Sequence, residues 1–184
     1  PYEKAGERIL NLSRLGANQI IPSGRTIIIY KNNSDQKGNS YGYHENYLLD
    51  RRTPFHTIAE RFMPFLVSRQ IFCGAGKVGS ENGAEHVPYQ ISQRADFFET
   101  EMGLDTMVKR PIINTRDEPH ANRDRYRRLH VIIGDANMSE FTTYLKVGTA
   151  LVVLHMIEEG FFAEPLALRN PVRALRDISH DPTC

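Results

Sequence analysis

Net charge is the first thing this 184-residue chain lacks: 23 basic and 22 acidic side chains leave a formal charge of +1. A dedicated nucleic-acid coat protein is excluded, because such binding needs a strongly basic domain or stripe. Electrostatics must act locally. Cysteine is nearly absent, present only as Cys73 and Cys184 with no CxxC spacing. Zinc-ribbon and disulfide-module readings fall away, and a reducing, cytoplasmic setting is expected. No stretch approaches the roughly 20 apolar residues that span a bilayer, and no basic segment followed by an apolar one opens the chain, so no membrane role is expected. There is no Ser-His-Asp order and no HExxH. The start, Pro1-Tyr2-Glu3-Lys4, has no initiator Met, and the end, Ser179 to Cys184, has no recognisable terminal feature. An internal piece of a longer protein is the expectation.

What is present fits a soluble domain, 40% hydrophobic and 24% charged. A chain of this length can bury about 70% of its unfolded surface without a disulfide or structural metal. A first helix is predicted over about residues 2–16, stopped by Gly16, followed by a turn at Pro22-Ser23-Gly24. Thr26 to Tyr30 is β-branched and continuously apolar, which predicts a strand buried on both faces. The polar loop Lys31 to Ser40 leaving it is a usual place for binding. Thr53-Pro54 predicts a helix start with the apolar positions Ile58, Phe62, Phe65 and Leu66, and Pro64 is expected to kink or divide that helix. Strands are predicted at Tyr89 to Arg94, Ile112-Ile113 and Leu129 to Ile133. A buried helix with the pattern Phe141, Leu145, Gly148, Val152 and Met156 is expected between Asn137 and Gly160, and a last short helix near Pro171. Strands alternating with a few long helices, and no repeat, predict an α+β fold with a mostly antiparallel sheet.

Three segments could carry chemistry. Gly74-Ala75-Gly76-Lys77-Val78-Gly79 invites a phosphate-loop reading, but it lacks the GxxxxGK[ST] spacing, so a plain turn is the competing account. Tyr41 to Tyr47 packs three tyrosines around His44 and Glu45; His44 is either a metal ligand or a satisfied structural histidine. Six arginines, Arg110, Arg116, Arg123, Arg125, Arg127 and Arg128, fall between positions 110 and 128. Guanidinium forks match phosphate and carboxylate oxygens, at roughly 1.5–3 kcal/mol for a charge-assisted bond. Most of these arginines suit a solvated loop. Arg116 and Arg128 differ because each abuts a strand, and His130, alternating with Leu129 and Val131, is expected to face away from them. Arg94 is a third arginine of this type. Several sheet-borne arginines and histidines suit nucleotide-phosphate chemistry. The residue types alone identify no nucleophile, base or substrate.

Tyr30 to Asp35, Ser40 to Tyr47, Ser92-Gln93-Arg94-Ala95-Asp96, Arg110 to His120 and Tyr126 to Asn137 together resemble the pupylation enzymes. That family comprises the Pup ligase and the Pup deamidase/depupylase, with a glutamine synthetase-like fold. Glu101 to Thr106, Ile133 to Asn137 and Thr142 to Lys146 look like the depupylase branch, whereas Gly38 to Tyr41, Cys73 to Val78 and Asn137 to Glu140 lean toward the ligase.

The resemblance implies a mainly antiparallel twisted sheet forming a cradle with outer helices. It implies ATP and Mg2+ as cofactors, and Pup and pupylated proteins as partners in the Pup-proteasome pathway. By position it suggests His44 and His130 for metal contacts, Arg94, Arg116 and His130 for the nucleotide, and Arg116 as the catalytic residue. The depupylase activity expected is deamidation of the C-terminal Gln of Pup and hydrolysis of Pup-lysine isopeptide bonds. The alternatives are ligation of Pup to lysines and a non-catalytic fragment that binds Pup or nucleotide. The resemblance also makes residues 1–184 the central part of a large catalytic domain. Its N-terminal strands, which carry the family's catalytic aspartate and metal-binding glutamates, and its C-terminal domain are expected to lie outside them. One departure is His120-Ala121-Asn122, where the family usually has a carboxylate.

Overall fold

The computed structural model describes residues 2–162, 164 and 166–183. Pro1 and Cys184, both used above, lie outside the described residues. The chain divides into two compact units, residues 1–32 and 33–184.

The first unit holds helix α1 (Tyr2–Ile20), which buries none of its residues. Gly16 does not stop it: a left-handed backbone, the usual glycine stop, comes only at Gly24 (φ 86°), past the turn. Thr26 to Tyr30 is not a strand, and Ile28 and Tyr30 are largely exposed. A strand needs a neighbouring backbone, and the Ile27 N–H and C=O are instead taken by the Asn18 side-chain amide, at 2.7 and 3.1 Å. Lys31 reaches Glu3 and Glu7.

The second unit is built on a four-stranded sheet. Its strands β1 (Glu45–Asp50), β4 (Phe98–Gly103), β5 (Arg110–Asn114) and β6 (Tyr126–Val131) run in the order β1-β6-β5-β4. β6 is antiparallel to both β1 and β5, and only β4 and β5 run parallel. A two-stranded antiparallel ribbon joins β2 (Lys77–Val78) to β3 (Tyr89–Gln90). The mainly antiparallel α+β expectation therefore holds. The predicted strand at Tyr89 to Arg94 shrinks to two residues, because Asp135 accepts from the Gln93 and Arg94 N–H groups and draws the chain into a 3-10 turn at Ala95–Phe97.

Helices α2 (Phe55–Ser68), α4 (Glu140–Glu158) and α5 (Pro171–His180) pack on β5, β1 and β4 respectively, while the short α3 (Gln70–Cys73) follows α2. The core joins Ile58, Phe62, Leu66 and Val67 of α2 to Tyr47, Leu49, Ile113, Leu129 and Val131 of the sheet. α2 runs through Pro64 undivided: losing one backbone hydrogen bond does not outweigh a face buried from Ile58 to Val67. α4 starts where expected, capped by Ser139 Oγ accepting from the Thr142 N–H, and ends before Gly160 at φ 69°. Its buried face is not the expected one: Phe141 and Val152 are exposed, and Lys146, Ala150, Leu154 and Ile157 are inside. A helix apolar on nearly every side gives periodicity nothing to select. α5 is capped by Asn170, with Pro171 at its first turn.

Candidate functional site

Side chains alternate across a strand, so one face of the sheet goes to the helices and the other is left for polar groups. The register places Asn46 opposite His130 and His130 opposite Asn114. Arg128 lies two residues before His130 on the same face, and continuing the alternation past the strand ends adds His44 before Asn46 and Arg116 after Asn114. Four of the residues singled out from sequence, His44, Arg116, Arg128 and His130, are thereby brought onto one face.

His44 Nδ1 lies 2.8 Å from His130 Nε2, with the two rings stacked at 5.0 Å between centroids and 20° between planes. One ring donates and the other accepts, so the pair shares a single proton. His130 is only 4% exposed, and its Nδ1 is buried without a hydrogen-bond partner. Burial foremost, then His44, Arg128 and Arg116, push the His130 pKa down to about 4. Burial followed by Arg94 and Arg116 lowers His44 as well. The pair is therefore neutral at pH 7, a dipolar surface beside guanidinium charge.

Linkage fixes the sign of its effect on stability. Unfolded imidazoles take up protons near pH 6.5, while folded His130 resists until about pH 4 and His44 is lowered as well. Stability is thus expected to fall as pH drops through that window and to flatten in this contribution below it. His130→Gln should remove that part of the slope in thermal unfolding recorded from pH 7 to pH 4; an unchanged slope would show that the pair protonates freely.

Arg116 is exposed, and its guanidinium has no hydrogen-bonded or ion-paired partner among the described residues. Its backbone N–H is held by the Asn114 side chain at 3.0 Å, and Asn114 in turn donates to the Leu104 and Asp105 carbonyls. Arg128 is tied to Glu118 at 2.6 Å. Arg94 is placed differently, at 1% exposure, with Nε donating to Ser40 Oγ and Nη1 to the Ile132 and Gly134 carbonyls. Burial holds its pKa down at about 10. Arg94 reaches the site as charge felt by His44 and as the clamp joining the Ser40 loop to the 132–134 turn. Of the other arginines, Arg110 donates to the Ser40 and Thr106 carbonyls, while Arg127 lies 3.8 Å from Asp117 and over the Phe55 ring.

Sequence reasoning passed over Asn114, Asp135 and Gly42. Asp135 accepts from Ser92 Oγ and from the N–H groups of Ala75, Gln93 and Arg94, so one buried carboxylate sets the Arg94 backbone. It also consumes the Ala75 N–H. With the Gly74, Gly76 and Gly79 N–H groups on the Gln70, Ile91 and Pro88 carbonyls, the glycine-rich segment is the plain turn and not a phosphate loop. Gly42 faces the His44 ring: a Cβ there would sit 2.9 Å from Nε2. Gly42→Ala is expected to push the ring off His130 while leaving the thermal midpoint nearly unchanged, since the obstacle is the end of a movable side chain. Retention of the His44 and His130 ring resonances at wild-type positions in NMR spectra would contradict this.

The donor set suits an anion better than a hard cation. Magnesium takes near-octahedral oxygen ligands. Among the described residues no group of three or more His, Cys, Asp or Glu side chains converges, and the facing nitrogens of His44 and His130 are bonded to each other. These residues do not by themselves make a magnesium centre. The fold and site together define an α+β domain whose sheet carries an exposed guanidinium, Arg116, on the same face as the bonded His44–His130 pair.

The Pup-ligase protein family model matches residues 1–184. The chain is 59% identical over 183 residues to a protein named depupylase from Acidothermus cellulolyticus, covering 99% of this chain and 36% of that protein. It is 53% identical over 186 residues to a Pup--protein ligase from Actinosynnema mirum, covering 99% and 40%. Two solved structures superpose with a TM-score of 0.85: the Pup ligase PafA in complex with ADP, at 44% identity, and the complex between prokaryotic ubiquitin-like protein Pup and PafA, at 46%. They cover 98% of this chain and 40% and 36% of those chains. The chain belongs to the Pup-ligase protein family, and its α+β fold is glutamine synthetase-like. It spans well under half the length of these relatives. Among the described residues no helix is long and apolar enough to cross a membrane.

Proposed function

We propose that residues 1–184 form the central part of a larger cytoplasmic catalytic domain that deamidates the C-terminal Gln of Pup and hydrolyses Pup-lysine isopeptide bonds, with ATP bound as a cofactor. The observation that carries this is Arg116: a guanidinium exposed and without a partner among the described residues, beside a neutral histidine pair. The 59% identity to a protein named depupylase, against 53% to one named ligase, favours hydrolysis over ligation. The ADP held by one of the two solved structures and the Pup held by the other support nucleotide and Pup as ligands.

In this account Arg116 orients phosphate oxygens, with His130 as the neutral partner that fixes His44 beside it, and Arg116 is the group closest in role to catalysis. It stabilises the negative charge that develops when water adds to the side-chain carbonyl of Pup and ammonia or a lysine amine leaves. Arg94 supplies background positive charge and holds the Ser40 loop. Carboxylates for the accompanying magnesium ion and for activating water come from segments outside this chain.

The test is an assay of the full-length protein with Pup ending in Gln, ATP and magnesium. Ammonia release without matching ADP supports the proposal. ADP formation with conjugates from Pup ending in Glu supports the ligase reading instead. Absence of both leaves the non-catalytic binding fragment.

A further inference from the structure

We propose that Lys146 is a positioning residue for the His44–His130 pair, acting from α4 through the ring of Tyr43 and the turn at residues 135–137. Lys146 is fully buried, and among the described residues no carboxylate bonds to it. Its Nζ donates to the Asp135 carbonyl at 2.6 Å and to Asn137 Oδ1 at 2.7 Å, and it stands 3.7 Å from the centroid of the Tyr43 ring. An ammonium has three N–H groups, and the arrangement gives it three acceptors: two oxygens and a π-face.

A lysine is a costly choice for the interior. Burial foremost, opposed by Glu45 and reinforced by Arg69, brings its pKa down to about 8, and an apolar side chain of the same length would pack there without that desolvation penalty. What an apolar side chain could not do is tie these three groups together. Tyr43 immediately precedes His44 in the chain, so a fixed ring fixes the backbone from which the His44 imidazole projects. Asp135 carries the carboxylate that holds the Gln93 and Arg94 N–H groups and the Ser92 hydroxyl. Asn137 returns to the end of α3 by donating to the Cys73 carbonyl. One ammonium thus joins the segment delivering His44 to the segment delivering Arg94, and neither contact reaches the anion face itself. This deepens the reading of that face as a phosphate site and rests on it for its purpose, though not for its test.

The test reads the N–H···N bond directly, as the nitrogen-nitrogen coupling between His44 Nδ1 and His130 Nε2 in NMR spectra of the ¹⁵N-labelled full-length protein, with ATP titrated calorimetrically in parallel. Wild type is expected to show the coupling. Lys146→Met should unfold cooperatively yet lose the coupling, and ATP affinity should fall by about tenfold, the equivalent of 1.4 kcal/mol. Should Lys146→Met fail to fold, Tyr43→Leu, which removes the aromatic ring and its hydroxyl and leaves Lys146 in place, is expected to lose the coupling as well. A merely structural lysine would lower the thermal midpoint and leave the coupling intact. The coupling persisting in folded Lys146→Met, or in Tyr43→Leu when the first variant is unfolded, overturns the proposal, as does its absence from wild type. Wild type that shows the coupling but binds no ATP overturns the phosphate reading alone, and the coupling in the variants still decides the role of Lys146.

Discussion

Glu45→Ala is expected to cost about 3–5 kcal/mol of folding stability, the usual consequence of leaving one member of a buried ion pair without the other. Arg69 and Glu45 are 1% and 4% exposed at their side chains and joined by two hydrogen bonds of 2.6 and 2.9 Å. Burial works against the Arg69 charge, and Glu45 more than offsets it, holding the guanidinium above its ordinary range. Tyr47 donates to the same carboxylate, and burial with that neighbouring charge raises its phenol pKa. Removing Glu45 strands both partners. Against a total stability of roughly 5–15 kcal/mol, the loss is enough to populate unfolded chains at physiological temperature. Denaturant unfolding measures it, and a loss below about 1 kcal/mol would show that water reaches Arg69. Glu45→Leu with Arg69→Met should recover part of the loss, because the stranded charge is then gone. The consequence reaches the site: Arg69 also donates to the Ile133 carbonyl, so the pair pins the turn whose carbonyls hold Arg94.

The second large effect is on turnover. Arg116→Ala in the full-length protein is expected to lower the deamidation rate by about 100- to 1,000-fold, the range typical of removing one donor that stabilises developing negative charge. Stability should be nearly untouched, since the Arg116 side chain is exposed and contacts no partner among the described residues. A slow but fully stable variant marks a residue that acts on the reacting charge. Wild-type rates in Arg116→Ala would remove it from the site.

Much of this was legible in the sequence, and the reasons differ by element. The period-two alternation that placed His130 opposite to Leu129 and Val131 was a local signal, and it survived because the sheet has one apolar and one polar face. The stop before Gly160 and the Pro171 start are also local chemistry. The failures came where partners far along the chain decide. Thr26 to Tyr30 has strand composition but finds no backbone to pair with. Arg94 read as an anion ligand at a strand end, and it is buried because Asp135, 41 residues on, turns the chain there. Lys146 carried no warning, since a lysine in a helix is ordinarily solvated. Asn114 could have been found, because it continues the same alternation two residues before Arg116.

The central claim is that the polar face of this sheet binds nucleotide phosphate through Arg116 and the neutral His44–His130 pair. Calorimetric titration of ATP into the full-length protein and its Arg116→Ala variant tests it most directly. A charge-assisted bond worth roughly 1.5–3 kcal/mol predicts a loss of about 10- to 150-fold in affinity on removing the guanidinium. Equal affinity for ATP in wild type and Arg116→Ala would place the nucleotide elsewhere and contradict the account.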